Sequence, residues 1–307
     1  MWIQIIDDGG LGLVTSLYTG TSASQDIVTG QNQSSDGALN HIKNRLVGNS
    51  HYLCDAVRGA DKFIFSDTND AEVSSSGGLT AFNNNGFTLG TDPTLNDSGN
   101  SYVAWSTPIR SGKFDIVQGS GDGTSSQAYN HNLGAGSTVG MIEAKRTDSA
   151  GNWRVYHKDL GNTKALRLNG TDAEATSSTY WNNTDPTSTQ FTVGSDLNDS
   201  GTDNFIFYVY AHNPSEGIAC GSFTTDSSGN ATVSGIGFEA DLVDLKRSDS
   251  TGDWLRLDSV RGFDKELKLN TTDIEATVSY LTVGADGFTI TGLDASATYI
   301  YKLEKGE

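Results

Sequence analysis

The stretch WRVYHKDLG at residues 153–161 decides the fold, because it recurs as HYLCDAVRG at 51–59 and as WLRLDSVRG at 254–262. The first two copies lie 102 residues apart and the last two lie 101 apart. A second block follows each copy at a constant distance, and its three versions are KFIFSDTNDAEVS at 62–74, KALRLNGTDAEAT at 164–176 and KELKLNTTDIEAT at 265–277. Blocks in one order at one spacing predict three tandem copies of a unit of about a hundred residues.

The residue pattern inside each copy is that of β-strands. Large apolar and polar residues alternate from Trp153 to His157, which is typical of a strand. Residues 204–211 (NFIFYVYA) are nearly continuous in β-forming residues, as expected of a buried strand. We therefore predict an all-β fold of three tandem antiparallel β-sandwiches of the jelly-roll or lectin-like kind. The best helical patterns are at 37–46 (GALNHIKNRL) and, for a single turn, at 172–176.

The predicted organisation places residues 1–36 apart and the three repeats at 37–112, 113–214 and 215–307. Pro108 and Pro214 stand in the joints, where a proline ends an edge strand and stiffens the connection. Such short joints predict a rigid row of repeats. The third repeat lacks an evident counterpart of the strand at 204–211 and is expected to be a terminal cap.

The segment 1–36 allows two interpretations. It is either a partial strand segment of the first repeat or an N-terminal arm that docks onto a neighbouring subunit. Trp2, Ile3, Ile5 and Ile6 fit one strand, whereas residues 19–36 are rich in Ser, Thr, Gln and Gly. The polarity of this second part favours the arm.

Charge and composition exclude several classes of protein. The net charge of −18 repels phosphate backbones, so nucleic acid is not an expected partner. No apolar run is long enough to span a membrane, and the sequence MWIQIIDDGG lacks the features of a secretory signal, which predicts assembly in a cytoplasm. Cys54 and Cys220 occupy unrelated positions in different repeats and are expected to be buried free thiols.

Aromatic residues at one repeated position are the first candidate site. Trp153 and Trp254 are equivalent, and His51 takes their place in the first repeat. An aromatic ring on an open face could stack on a sugar, since both surfaces are apolar. An aromatic residue that recurs in every unit more often closes a core, and we favour that interpretation.

Two oxygen-rich loops are the second candidate site. The loops TDPTLNDSGN (91–100) and SDLNDSGTDN (195–204) carry carboxylate and amide oxygens, which calcium prefers. Their candidate ligands are Asp92, Asn96, Asp97, Asp196, Asn198 and Asp199. The spacing matches no defined calcium loop, so turns with Asx hydrogen bonds are favoured. We predict no cofactor, with calcium as the alternative.

The paired carboxylates of the D-x-E tract are the third candidate. They are Asp70 with Glu72, Asp172 with Glu174, and Asp273 with Glu275. Two carboxylates can hydrolyse a glycosidic bond. A catalytic pair kept three times at one spacing is unexpected, so a structural role is favoured. The five histidines show no zinc spacing, and the sequence has no nucleophile elbow. These observations predict a protein that is not an enzyme.

Five longer blocks closely resemble a family of repeat proteins encoded by tailed bacteriophages, many of them marine. The blocks are SHYLCDAVRGADK (50–62), NNNGFTLGTDPTLNDSGNSYVAW (83–105), FDIVQGSGDGTSSQAYNHNLG (114–134), KRTDSAGNWRVYHKDLGNTKALRLN (145–169) and STYWNNTDPTSTQFTVGSDLNDSG (178–201). The resemblance covers roughly residues 40–305. It implies a virion protein of the tail or its fibres, or an appendage or decoration on the particle, and it supplies no catalytic residues.

The expected function is therefore that of a virion structural protein, assembled in the host cytoplasm, that contributes to particle assembly and host-surface attachment. The alternatives are a capsid decoration or head-appendage protein and, third, a polysaccharide-degrading tail enzyme. Expected partners are other virion proteins and a host-surface glycan or receptor. A homo-oligomer, a trimer or a higher ring, is also expected, because a slim row of small sandwiches gains stability by packing against copies of itself.

Overall fold

The structure, a computed structural model, describes residues 12–134, 136–199 and 201–306. Strands make up 47% of the described residues and helices 6%. All pairs of strands are antiparallel in the described part, which confirms the predicted all-β sandwich fold. The strands fall into three groups, which we call unit 1 (14–108), unit 2 (114–212) and unit 3 (218–304). The expected strand around Trp2 to Ile6 lies outside the described residues.

Unit 1 consists of two sheets. Its strands are β1 (Val14–Thr19), β2 (Gln25–Val28), β3 (Ala38–Asn44), β4 (Tyr52–Asp55), β5 (Lys62–Phe65), β6 (Val73–Ser74), β7 (Leu79–Asn83), β8 (Gly86–Leu89) and β9 (Ser101–Pro108). The larger sheet has the order β1-β9-β3-β4-β5-β6 and the smaller one β2-β8-β7. Two short helices, α1 (Gln33–Asp36) and α2 (Pro93–Asn96), lie in the connections.

Unit 2 follows the same order with interruptions. Its strands are β10 (Phe114–Ser120), β11 (Ser126–Asn130), β12 (Thr138–Arg146), β13 (Arg154–His157), β14 (Lys164–Ala165), β15 (Ala175–Thr176), β16 (Gln190–Gly194) and β17 (Asn204–His212). Its sheets are β10-β17-β12-β13, β14-β15 and β11-β16. A bridge between Val155 and Leu166 connects the first two. The helix α3 (Ser178–Trp181) stands where unit 1 has β7.

Unit 3 repeats the strand order of unit 1. Its strands are β18 (Ile218–Thr224), β19 (Ala231–Ser234), β20 (Leu242–Arg247), β21 (Trp254–Asp258), β22 (Gly262–Lys268), β23 (Ala276–Thr277), β24 (Leu281–Gly284), β25 (Gly287–Ile290) and β26 (Thr298–Glu304). The larger sheet has the order β18-β26-β20-β21-β22-β23 and the smaller one β19-β25-β24. Both six-stranded sheets therefore have the same connectivity.

The helix predicted at 37–46 is wrong, because residues 38–44 form strand β3 at the centre of its sheet. Leu39 and Ile42 have helical spacing, but all seven residues of β3 are buried. A strand covered on both faces loses the alternation of polar and apolar residues that identifies strands in a sequence. The helical turn predicted at 172–176 is also wrong, since its last two residues form β15.

The preference for an N-terminal arm is wrong for residues 14–28. Strand β1 pairs with β9 from Val14–Ser106 to Thr19–Ser101, and β2 pairs with β8. These two strands complete the sheets of unit 1, so the segment belongs to the first sandwich. Polar side chains in and after this segment form hydrogen bonds with neighbouring parts of unit 1. For example, the side-chain amide of Gln31 donates to the Ser106 carbonyl at 3.0 Å.

Unit 3 does have a closing strand, contrary to the sequence prediction. Strand β26 lies between β18 and β20, as β17 lies between β10 and β12. It escapes notice in the sequence because Lys302 and Glu304 replace the tyrosines 208 and 210 of β17. Both charges are buried, and the Lys302 ammonium pairs with Glu304 and with Asp244 at 3.3 Å.

The three units close into a ring, so the predicted open row is wrong. The Glu72 amide of unit 1 donates to the Thr147 carbonyl of unit 2 at 2.8 Å, and the Glu174 amide of unit 2 donates to the Ser248 carbonyl of unit 3 at 2.8 Å. The Glu275 amide of unit 3 donates back to the Arg45 carbonyl of unit 1 at 3.0 Å. Each unit thus presents the same two surfaces, head to tail, as subunits of a closed cyclic oligomer do.

One apolar cluster joins all three units at the centre of the ring. It contains Leu39 and Leu53 from unit 1, most of the core of unit 2, and Trp254 and Ile300 from unit 3. Because burial of apolar surface is the main favourable term in folding, this shared core stabilises the units together. A homo-oligomer was expected because a slim row of units needs packing partners. Within one chain, the units already provide this packing for one another.

Candidate functional site

The junctions between the units contain the residues that recur in every repeat. Trp153 and Trp254 are almost fully buried, with 0% and 2% of their surfaces exposed. The Trp153 indole donates to the Phe65 carbonyl of unit 1 at 2.8 Å, and the Trp254 indole donates to the Arg167 carbonyl of unit 2 at 2.8 Å. Each tryptophan therefore connects its own unit to the preceding one by a hydrogen bond. Neither ring is exposed enough to stack on a sugar.

His51 fills the equivalent place at the junction of units 3 and 1. It is fully buried, and its Nδ1 lies 2.9 Å from Nε2 of His41. Burial, with the charges of Lys43 and Arg256, holds the pKa of His51 well below its usual range. The ring is therefore neutral near pH 7 and packs as an aromatic residue.

A buried lysine at each junction was missed by the sequence analysis. Lys43, Lys145 and Lys246 are equivalent and have no exposed surface. The ammonium of Lys43 donates to the Thr272 carbonyl of unit 3 at 3.1 Å, and the other two reach carbonyls of the preceding unit in the same way. Burial lowers the pKa of each lysine to about 8. The signal was present, because a lysine stands at the same offset in all three copies.

The D-x-E tract also lies at the junctions. The Glu275 carboxylate accepts two hydrogen bonds from the guanidinium of Arg45 across the junction, at 2.7 and 2.8 Å, and pairs with Arg261 of its own unit at 3.2 Å. Glu72 pairs with Arg58 at 3.2 Å and with Lys62 at 3.5 Å. These glutamates are engaged in ion pairs with basic groups, which suits a structural role.

A buried Asp–Arg pair supports two of the three junctions. Asp55 pairs with Arg58 at 2.5 Å, and the hydroxyl of Tyr208 in unit 2 donates to the Asp55 carboxylate at 2.9 Å. Asp258 pairs with Arg261 at 2.5 Å, and the indole of Trp105 in unit 1 donates to Asp258 at 3.0 Å. Both pairs thus receive a hydrogen bond from the neighbouring unit's central strand.

The second junction replaces this pair by neutral residues. His157 and Leu160 stand at the positions of the aspartate and the arginine. The His157 imidazole lies 3.1 Å from the Tyr301 carbonyl of unit 3, and burial lowers its pKa to about 4. An uncharged partner suits this place, because the neighbouring strand presents Lys302 instead of Tyr208 or Trp105.

Buried charges cluster where β9, β17 and β26, one strand from each unit, come together. The Arg256 guanidinium forms two hydrogen bonds with Asp244, both at 2.7 Å, and lies 3.1 Å from Nδ1 of His41. The Lys302 ammonium lies 4.1 Å from the centre of the Tyr210 ring. Cation–π contact and ion pairs together compensate the desolvation of these charges. A cavity of about 10 Å³ beside them has about the smallest volume that can hold one water.

The two candidate calcium loops lie in different units, and their side chains form hydrogen bonds within the protein. Asp92 caps α2 and accepts from the Thr94 amide at 2.9 Å. Asn96 is buried and connects the Thr21 amide to the Ala23 carbonyl. In unit 2 the equivalent Asn198 binds Asp122 and Thr124 in the same manner.

Two of the aspartates in these loops also form a hydrogen bond or an ion pair within the protein. Asp97 accepts from the Asn100 amide at 2.8 Å, and Asp196 pairs with Arg154 at 2.7 Å. Asp199 is exposed. Over residues 12–134, 136–199 and 201–306, no three His, Cys, Asp or Glu side chains converge as a set of metal ligands would.

Residues 13–255 and 213–300 match the model of a family described as Domain of unknown function (DUF7483). The chain belongs to this family. The two matches overlap, as expected when one family model fits a repeated sequence in more than one position. Among curated proteins, none matches the sequence.

In the described part of this DUF7483 chain, no helix has the length and apolar character needed to cross a membrane. Cys54 and Cys220 are buried free thiols, as predicted.

We expect the ionisation of Glu143 to make the free energy of unfolding depend on pH. Burial raises the pKa of Glu143 from 4.5 to about 7, against the opposing effect of nearby cations. The groups that face it are Lys302, Arg256, Asp244, Glu304 and the hydroxyl of Tyr210. A raised pKa means that the stabilising contribution is complete below about pH 4.5 and is lost as the pH rises through about 7.

The substitution Glu143→Gln keeps the neutral shape at every pH. We expect it to leave the free energy of unfolding unchanged near pH 4.5 and to raise it by up to about 3 kcal/mol above pH 8. Urea unfolding of both proteins across this range measures the difference. A difference that does not grow with pH would contradict the burial of an ionisable Glu143.

Chelation tests the calcium alternative in this DUF7483 chain. Since most of the candidate ligand side chains already form internal hydrogen bonds or ion pairs, we expect the same Tm in EDTA and in millimolar calcium. Magnesium serves as the control for ionic strength. A rise in Tm that only calcium produces, and that Asp97→Asn removes, would establish a calcium loop instead.

Proposed function

We propose that the protein is a non-enzymatic structural protein of a tailed-bacteriophage virion, placed in the tail or its fibres, where it contributes to particle assembly and host-surface attachment. The observation that carries the proposal is the closed ring. The residues that recur in the repeats, including Trp153, Lys145 and Glu174, are engaged in joining units. Such a distribution suits a scaffold that must stay rigid rather than a protein organised around one reaction centre.

The sequence resemblance to tailed-phage repeat proteins supports the same proposal. The net charge of −18 also fits, because a strongly charged surface keeps an abundant component soluble before assembly. On this proposal the partners are other virion proteins and a host-surface glycan or receptor. Several copies on one particle, as a homo-oligomer, would supply the avidity that weak surface binding needs.

The ring itself favours a second candidate, a decoration or appendage on the capsid. Three similar units around one centre give the chain an approximate threefold symmetry, shown by the three equivalent amide-to-carbonyl bonds at the junctions. A molecule of this shape suits a threefold position on a shell as well as a trimeric fibre. The two candidates differ in location, which an experiment can decide.

Cryo-electron microscopy of the particle tests both candidates. We expect a three-lobed density at the tail or its fibres, and the protein in the mass spectrum of purified particles. Density on the head alone would contradict the tail location and support the capsid decoration. Absence of the protein from purified particles would contradict both.

An assay for polysaccharide hydrolysis tests the non-enzymatic part of the proposal. We expect no release of reducing sugar from host surface polysaccharide. Release that one carboxylate substitution abolishes would overturn this part and restore the tail enzyme.

A further inference from the structure

Unit 3 contains an open groove on the sandwich face of its larger sheet. The groove has a volume of about 330 Å³, and its wall includes Leu255, Glu266, Lys268, Tyr280 and Asp294. This volume lies at the lower end of the range for small-ligand sites. The groove is formed mainly by β21, β22 and the loops before β24 and β26.

The equivalent positions in the other units are filled by side chains. In unit 1, the three positions of Leu255, Glu266 and Lys268 hold Tyr52, Phe63 and Phe65. The Tyr52 ring packs edge-on against both phenylalanines, with ring centres 5.6 and 4.8 Å apart.

Unit 2 fills the same place in another way. Arg154 stands where unit 3 has Leu255, and its guanidinium covers the Tyr180 ring at 4.7 Å and pairs with Asp196. Unit 3 has therefore exchanged a packed patch of side chains for an open polar one.

The groove combines an apolar wall with fixed polar groups. Its polar groups are held in pairs: Lys268 with Asp253 at 2.9 Å, Arg247 with Asp294 at 2.9 Å, and the Tyr280 hydroxyl with the Glu266 carboxylate. Each ammonium, guanidinium and carboxylate has more hydrogen-bonding sites than one partner uses. The apolar surface is supplied by Leu255, Leu293 and the tyrosine rings.

We propose that this groove binds a neutral sugar, a hexopyranose unit of a glycan. Two cations and three carboxylates nearly cancel in charge, so the groove does not select a strongly charged ligand. Closely spaced donors and acceptors match neighbouring hydroxyl groups, and the apolar wall matches the C–H face of a pyranose ring. The inference deepens the proposed attachment role and rests on it, since it names the class of host molecule that would be recognised.

Saturation-transfer NMR of the full chain with neutral hexoses and N-acetylhexosamines tests the inference, with inorganic phosphate as the anionic probe. We expect transfer to at least one sugar, and an affinity lowered about tenfold by Lys268→Met or Glu266→Gln, because each removes a charged hydrogen-bonding group. The matched control is Lys265→Met, since Lys265 is three residues away on the same strand and lies on the opposite face. This control is expected to leave binding unchanged, and thermal unfolding verifies that each variant is folded.

Three results would overturn the inference: no transfer to any sugar, binding of phosphate in preference to sugars, or sugar binding that Lys268→Met and Glu266→Gln leave intact. The outcome is separable from that of the proposed function. A protein present in the tail that binds no sugar refutes the groove alone, whereas a sugar-binding protein that is absent from particles refutes the virion role alone.

Discussion

Replacing Arg261 by alanine is expected to lower the free energy of unfolding by about 3–5 kcal/mol, because it leaves the buried carboxylate of Asp258 without its cation. Both side chains are fully buried, with the ion pair at 2.5 Å. The guanidinium also covers the Trp105 ring of unit 1 at 5.1 Å, so its removal weakens the junction that closes the ring. Urea unfolding of the wild type and Arg261→Ala measures the effect.

The chain offers a matched control for this substitution. The double variant Asp258→His with Arg261→Leu copies the neutral pair His157 and Leu160 of the second junction. Replacing both partners leaves no unpaired buried charge, so we expect a smaller loss than for Arg261→Ala alone. A single variant as stable as the wild type, within about 1 kcal/mol, would show that the pair does not support the junction.

Truncation of Trp254 to alanine is expected to cost about 3–5 kcal/mol, the range for a large aromatic side chain removed from a core. The indole is 2% exposed, belongs to the shared central cluster and donates to the Arg167 carbonyl of unit 2. The loss is therefore expected to appear as weaker association of units 2 and 3. Chemical denaturation measures it.

Trp254→Phe separates the packing from the hydrogen bond. Phenylalanine keeps most of the apolar contact and leaves the Arg167 carbonyl without its donor, which costs about 1–3 kcal/mol. We expect its loss to lie between those of the wild type and of the alanine variant. Equal losses for both variants would mean that packing of the indole contributes little, contrary to its burial.

The local elements of the fold could be predicted from the sequence where side chains alternate in polarity. The residues of β13, from Arg154 to His157, follow this pattern, and the structure has a strand there. The fully buried β3 could not be recognised in this way, because its two faces contact the small sheet and the neighbouring units. Its residues Lys43 and Asn44 look solvent-exposed in a sequence and are buried in the fold.

The ring could not be predicted, because its closure depends on contacts between residues far apart in the chain. Arg45 and Glu275 are 230 residues apart, and nothing in either local sequence specifies the other. The repeated lysines and the D-x-E tract were visible as repeats, but a repeat does not say which surface it contacts. Likewise, the groove of unit 3 arises where that unit departs from the pattern, at Glu266 and Lys268, and a search for shared residues passes over it.

Small-angle X-ray scattering on the monomer fraction tests the closed ring most directly. A compact chain of this length has a radius of gyration of about 19 Å, whereas a row of three separate units would have roughly 30 Å. The ring predicts the smaller value, unchanged between low and high salt because apolar packing as well as charge holds the junctions. A radius near the larger value would contradict the closure of unit 3 onto unit 1.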